Sequence, residues 1–243
     1  MELLFDTIFN KKDLENKTRV FFDSLISNQS GLADVFSDQY GISYKVVFGH
    51  KDYKIALYDL LKKYYKNEYL IKRCFVKHNL LSSSATTFSE FPINNSRIDI
   101  ASINGKSVAY EIKTQYDKLS RLKKQIGDYS LCFEYVYVIC ENSKTKFVLE
   151  KIPQYCGIYE YAGEKSRCSF KKIRDAVRSP NLSPEQMLDV LQSGELAESF
   201  GTNDKHLILE TQTLGTINSH FKVCLKKRFS LKWNELKAEC KAL

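Results

Sequence analysis

The stretch RIDIASINGKSVAYEIKT, Arg97 to Thr114, constrains the fold more than any other part of the chain. Two runs rich in β-branched and aromatic residues flank Asn104-Gly105, a dipeptide that favours the positive φ a tight hairpin needs. Side chains alternate across a strand, so the register of this hairpin decides which residues share a face. A two-residue loop sets Ile103 opposite Lys106 and Asp99 opposite Tyr110, mixing charged and apolar side chains on both faces. A three-residue loop over Ile103-Asn104-Gly105, with a left-handed Gly105 and a bulge, instead pairs Ser102 with Lys106 and Asp99 with Ala109. One face then reads Ile98, Ile100, Val108, Tyr110 and Ile112. The other reads Arg97, Asp99, Ala101, Ser107, Ala109, Glu111 and Lys113. A one-residue slip would move a whole apolar set out of the core, so the segregated pattern selects this offset or an equivalent bulge.

In that register Asp99 and Glu111 are diagonal neighbours with Cβ atoms up to about 7–8 Å apart, and small Ala101 and Ala109 leave room beside them. Two carboxylates on one surface repel unless they are protonated, paired or bridged. An oxygen-rich pair with open positions suits Mg²⁺ or Mn²⁺, which keep several waters. Lys113 then points at whatever the cation binds. The competing reading is a solvated strand face carrying a surface ion pair, Lys113 with Glu111 or Arg97 with Asp99. Geometry alone leaves both open.

Around the hairpin, YYKNEYLIKRCFVKHNLL reads as a helix with Glu68 near its start, and TTFSEF, RIDIASI, SVAYEIK and EYVYVIC read as strands. A helix, YDKLSRLKKQIGDYSL, separates the last two. The order is helix, three strands, helix, strand. KFVLEKI and GIYEYAG are expected as a further strand pair. FKKIRDAV, SPEQMLDVLQSG and the segment from Ile217 to Leu243 are expected as helices, with Pro184 just inside a helix start behind Ser183. The resulting fold class is α/β of the α+β kind, a mixed sheet flanked by helices with helical additions at both ends. The expected organisation is a helical region over 1–66, a core over 67–165 and a helical region over 166–243.

RID with YEIK, followed by DKLSRLKKQIGDY, resembles the PD-(D/E)XK nuclease superfamily, in particular its RecB-like branch, which carries a helical Gln and Tyr after the ExK strand. KIPQYCGIYEY and LQSGELAESF extend the resemblance towards a small bacterial and phage subgroup, although Tyr155-Cys156 departs from its aromatic pattern. The resemblance implies a restriction-endonuclease-like core and a metal-dependent phosphodiesterase. Asp99 and Glu111 would be Mg²⁺ or Mn²⁺ ligands, Lys113 would orient the attacking water, and Gln125 would help position the site. Ile98 stands where the superfamily has Pro. A further carboxylate is usual, and Glu68, ahead of Glu90, is the expected ligand. On a helical wheel Leu119, Leu122, Ile126 and Tyr129 form the buried stripe, with Tyr129 read as core and Gln125 at the stripe's edge.

Partners follow from charge. Lys and Arg outnumber Asp and Glu by 37 to 29, a formal +8, which favours an anionic partner such as nucleic acid or a membrane surface; the resemblance implies nucleic acid, with DNA the expected one. Arg97, Arg121 and Lys124 are the expected phosphate contacts, with Lys62, Lys63, Lys66, Lys123, Lys171, Lys172, Arg174, Lys226, Lys227 and Arg228 as further basic positions. Seven scattered cysteines without zinc-type spacing read as reduced, mostly buried thiols. Neither a signal segment nor an apolar run of about 20 residues is visible, so a cytoplasmic protein without a membrane partner is expected. Two alternatives share these features: a nuclease-like module that binds nucleic acid or protein without cutting, and an RNase or tRNA-directed toxin using the same site.

Overall fold

The computed structural model describes residues 68–163 and 168–242; the expected helical region 1–66, with Lys62, Lys63 and Lys66, lies outside them. The chain divides into one unit of Met1–Ile71 with Glu164–Arg167 and another of Lys72–Gly163 with Cys168–Leu243. The second unit is built on one six-stranded mixed sheet, ordered β1-β2-β3-β4-β5-β6. Its strands are β1 (Thr86–Ile93), β2 (Ser96–Asn104), β3 (Lys106–Lys113), β4 (Tyr135–Glu141), β5 (Gly157–Ala162) and β6 (Ser169–Arg174). Described helices are α1 (Glu68–Phe75), α2 (Leu122–Ser130), α3 (Thr145–Leu149), α4 (Pro184–Val190), α5 (Ser193–Phe200), α6 (Lys205–Thr211) and α7 (Leu214–Ala242). β1, β2 and β3 form an antiparallel meander. β3, β4 and β5 run parallel, α2 and α3 making the crossovers that parallel pairs require, and β6 returns antiparallel to β5.

The hairpin register differs from the expected one by two residues. Asn104 pairs with Lys106, Ser102 with Val108, Ala101 with Ala109 and Ile100 with Tyr110, around a left-handed Gly105 at φ 68°. A two-residue offset conserves parity along the paired residues, so Ala101 and Ala109 share the side of Glu111 and Lys113. Ile98, expected on the opposite face, joins the cluster of Ala101 instead, and Asp99, beyond the last pair, lies close enough for its charge to act on Tyr129, the residue bonded to Glu111. The solvated-face reading fails: Asp99 is 8% exposed, Glu111 1% and Lys113 8%. Both faces of the hairpin are covered. On one side α2, α4 and α7 close over Ala101, Ile103, Ala109, Val136 and Val138 with Leu122, Ile126, Tyr129, Met187, Leu188, Phe221 and Leu225. Phe229 of α7 stacks on Phe88 at 4.1 Å between ring centroids. On the other side Phe75 sits among Tyr110, Tyr159 and Phe170 at 5.1–5.2 Å.

Two expected elements are exchanged in type. KFVLEKI forms a short helix, α3, because Val148 and Ile152, four apart, are the residues that turn inward while Phe147 faces out. FKKIRDAV forms an edge strand, β6, with Phe170 against Phe75 and Lys172 over the Tyr159 ring. Exposed lysines there are a common way to blunt a sheet edge. α2 begins at Leu122, because Asp117 and Thr114 bond each other and hold the preceding residues in a turn. The α4 start is as expected, with Pro184 in the first turn and Ser183 Oγ accepting the Gln186 N–H. No helix of the described residues is long and apolar enough to cross a membrane.

Candidate functional site

The site is built where the ladder around β2 opens. The β1–β2 pairs skip from Ser89 with Ile100 to Phe91 with Ile98, leaving Glu90 and Asp99 out. Phe88 and Phe91, three apart, enter the same apolar cluster, as do Ala101 and Ile98 opposite them, so facing alternation breaks between. Glu90 takes the left-handed conformation at φ 57°, unfavourable by about 1–3 kcal/mol for a residue with a Cβ. The β2–β3 pairs end at Ile100 with Tyr110, and the next inward donor, Ile112 N–H, goes to Asp99 Oδ2 at 2.6 Å. A side chain has replaced a ladder carbonyl, fixing the Asp99 carboxylate against β3.

Glu111 is the hub. Its Oε1 accepts Lys113 Nζ and Gln125 Nε2, each at 2.6 Å, and its Oε2 lies 2.6 Å from the Tyr129 hydroxyl. That hydroxyl is also 2.6 Å from Arg97 O, and a phenol has a single hydrogen for the two acceptors. Burial, and after it the Glu111 charge, push the Tyr129 phenol far above its usual range, so it remains a neutral donor. Tyr129 therefore does more than pack: it is fully buried and also ties α2 to the acidic strand. Gln125, at the helix edge, reaches the end of β3 as expected. Its amide is oriented by the carboxylate, towards which only the amide's nitrogen can donate, and this leaves Gln125 Oε1 buried without a hydrogen-bond partner. The Lys113–Glu111 ion pair foreseen as a surface contact exists, but in the interior.

Carboxylate oxygens of Glu90 and Asp99 lie within 4.8 Å of each other. Glu90 is held by Lys72 and, at 2.8 Å, by Arg97. Glu68 opens the first turn of α1, in the part of the chain assigned to the first unit. Carboxylates and an unpartnered amide oxygen are hard oxygen donors of the kind a divalent cation takes, whereas the Lys113 ammonium is a like charge that suits an anion beside such a cation.

The expected phosphate contacts divide. Arg97 is exposed but paired with Glu90, and Lys124 is paired with Asp128 at 2.8 Å. Arg121 is exposed at the N-cap of α2. Arg174, by contrast, is spent on Cys156 O, Pro153 O and Gln154 Oε1, while Lys227 and Arg228 are bound to Glu198 and Glu195. Among the described residues the cysteines are free and buried, as expected, and burial pushes the Cys132 and Cys156 thiols up to about 12. Cys74, also free and buried, differs in its acidity: hydrogen bonding from the Cys168 thiol, against the opposing effect of burial, brings it down to about 6.

The sequence profile of bacteriophage P4 protein cII matches residues 59–239. The chain belongs to that family. Protein cII of Enterobacteria phage P4 is 30% identical over 118 residues, a match covering 48% of this chain and 45% of that protein. The match thus spans less than half the length of that cII relative. Among solved structures, a protein of unknown function from Silicibacter pomeroyi aligns over 48% of this chain and 72% of that one, with 18% identity and a TM-score of 0.33.

Proposed function

We propose that this chain is a metal-dependent nuclease that hydrolyses phosphodiester bonds, most simply those of DNA, on a restriction-endonuclease-like core of the PD-(D/E)XK kind. The observation that carries the reading is the burial of Asp99, Glu111 and Lys113 in the hairpin, next to a Gln125 oxygen without a partner. Burying ions costs several kcal/mol each even after relaxation, so a purely structural role would be served better by apolar side chains. The order α1, β1, β2, β3, α2, β4 supports the same reading.

Asp99 and Glu111 would hold Mg²⁺ or Mn²⁺, with Glu68, from the sequence reading, and Glu90, from its closeness to Asp99, as further carboxylates. A divalent cation supplies Lewis acidity to a phosphoryl oxygen and makes water a better nucleophile. Lys113 exchanges part of its bond to Glu111 for the incoming phosphate and offsets the negative charge that grows in the transition state. Gln125 and Tyr129 hold the Glu111 carboxylate in one rotamer, and Gln125 Oε1 can accept from the attacking water. Arg97, Arg121 and Lys124 would contact the backbone of the nucleic acid.

One observation favours a second reading, a nucleic-acid-binding or protein-interaction module that does not cut. Both oxygens of Glu111 already have partners within the protein. Incubation of the purified protein with plasmid, single-stranded DNA and RNA, in Mg²⁺, Mn²⁺ or EDTA, separates these. Metal-dependent cleavage lost in Asp99→Asn supports the nuclease; cleavage of RNA alone supports the RNase alternative. Binding with no cleavage of any substrate overturns the enzyme.

A further inference from the structure

The segment Thr114–Arg121 leaves Lys113 and leads to α2, and its first turn is braced. Asp117 Oδ2 accepts the Thr114 N–H at 2.7 Å and the Thr114 hydroxyl at 2.6 Å. Tyr116 N–H donates to Thr114 Oγ1 at 3.3 Å and Asp117 N–H to Thr114 O at 3.2 Å. Lys144 Nζ binds the Asp117 carbonyl from α3's preceding turn. Within this turn Tyr116 is 54% exposed. Its Cα is three residues from that of Lys113, so the two are no more than about 11 Å apart.

A single exposed tyrosine is ordinary. Three features set this one apart: the rigid turn that holds it, its distance from the proposed reaction centre, and the charge around it. Between Thr114 and Lys124 lie Lys118, Arg121, Lys123 and Lys124 against the lone carboxylate Asp117, whose oxygen the turn consumes. Lys118, Arg121 and Lys123 are exposed, and none makes an ion pair among the described residues. Aromatic faces interleaved with cations that follow a phosphate backbone are the two ingredients of single-strand recognition. A base within a duplex already has both faces stacked and cannot use such a platform; an unpaired base can.

We propose that Tyr116 stacks an unpaired base next to the phosphate held at Lys113, making the preferred substrate single-stranded nucleic acid, including the unpaired end of a duplex. This rests on the nuclease reading for the position of the phosphate, but its test does not require cleavage.

The test is fluorescence anisotropy of the full chain with a labelled single-stranded oligonucleotide and with a duplex of equal length, in EDTA. Wild type, Tyr116→Ala, Tyr116→Phe and Tyr116→Trp are compared after thermal melts show equal folding. Expected are a preference of the wild type for the single strand, a loss of about tenfold or more in Tyr116→Ala, and retention in the Phe and Trp variants. Duplex affinity and the salt dependence should move little, because no charge is removed. Unchanged single-strand binding in Tyr116→Ala, equal losses on single strand and duplex, or no binding by the wild type would each overturn the proposal. If aromatic-dependent binding is found in a protein that cleaves nothing in Mg²⁺ or Mn²⁺, the platform stands and the nuclease reading falls; cleavage by a protein indifferent to Tyr116 gives the reverse.

Discussion

Asp99 is bonded side chain to backbone with Ile112, its Oδ2 taking the N–H at 2.6 Å just beyond the last ladder pair of the hairpin. The carboxylate thus has a structural and a proposed chemical task, and substitution can separate them. Asp99→Asn keeps an acceptor for Ile112 and should cost under about 1 kcal/mol, whereas Asp99→Ala strands a buried donor and should cost about 1–3 kcal/mol. Both should lower metal-dependent cleavage at least a hundredfold, on the scale of lost charge stabilisation in a buried site. Urea melts and a plasmid assay measure the two effects; an Asp99→Asn protein that cuts at the wild-type rate contradicts the assignment of this carboxylate as a ligand.

Glu111 and Lys113 form a buried pair at 2.6 Å whose members should be strongly coupled. Glu111→Ala removes the carboxylate and leaves the Lys113 ammonium inside, at a cost of about 3–5 kcal/mol. Adding Lys113→Met should recover much of that stability while activity stays absent. A double-mutant cycle by chemical denaturation checks this, and additive losses would mean the pair is solvated in solution.

The parity of the hairpin was legible because a period of two forbids a one-residue slip. The register itself was not, since a shift of two leaves the faces of the paired residues unchanged, and nor was the break at Glu90 and Asp99 that carries Ile98 into the cluster of Ala101. Covering of the polar face by α2 was also hidden: Asp99, Glu111 and Lys113 among alanines and serines read equally well as a solvated surface. Only the motif pointed to a site, and Gln125 was found through it, while the Tyr129 bond to Glu111 looked like core packing because that residue is indeed core. The exchange of α3 and β6 came from short segments in which apolar residues are too few to fix a period. The uses of Arg174, Lys227 and Arg228 depend on contacts between distant elements, which no local pattern encodes.

Those contacts predict which cations meet nucleic acid. Arg121→Ala should weaken oligonucleotide binding and reduce the slope of log K against log salt by about one. Lys124→Ala should do so less, because Asp128 already holds its ammonium. Arg228→Ala should leave binding unaltered and lower stability instead, since its guanidinium joins α7 to Glu195 and Val190 O. Titrations from low to physiological salt test the three variants together. Equal effects of Arg121→Ala and Arg228→Ala would show that basic residues act through net charge alone.

Glu134, just ahead of β4, predicts the acid limb of stability. It is 6% exposed, and accepts the Ser107 N–H at 3.0 Å, Asn218 Nδ2 at 2.9 Å and Lys222 Nζ at 3.1 Å, tying β3 to α7. Burial alone would raise its pKa, but the bonds from Ser107, Asn218 and Lys222 outweigh it and hold the carboxyl below its usual value. A depressed folded-state pKa means that the stabilisation is fully present above the unfolded value of about 4.3 and disappears as pH falls through the folded one. The stabilisation that Glu134 contributes should therefore fade as pH falls below about 4.3, while Glu134→Gln, less stable near neutrality, should lose less over the same interval. The two curves of unfolding free energy against pH should converge in acid. Parallel curves would mean that Glu134 binds its proton equally in the folded and unfolded chain, and that the anchoring of α7 to the hairpin is carried by packing rather than by this charge.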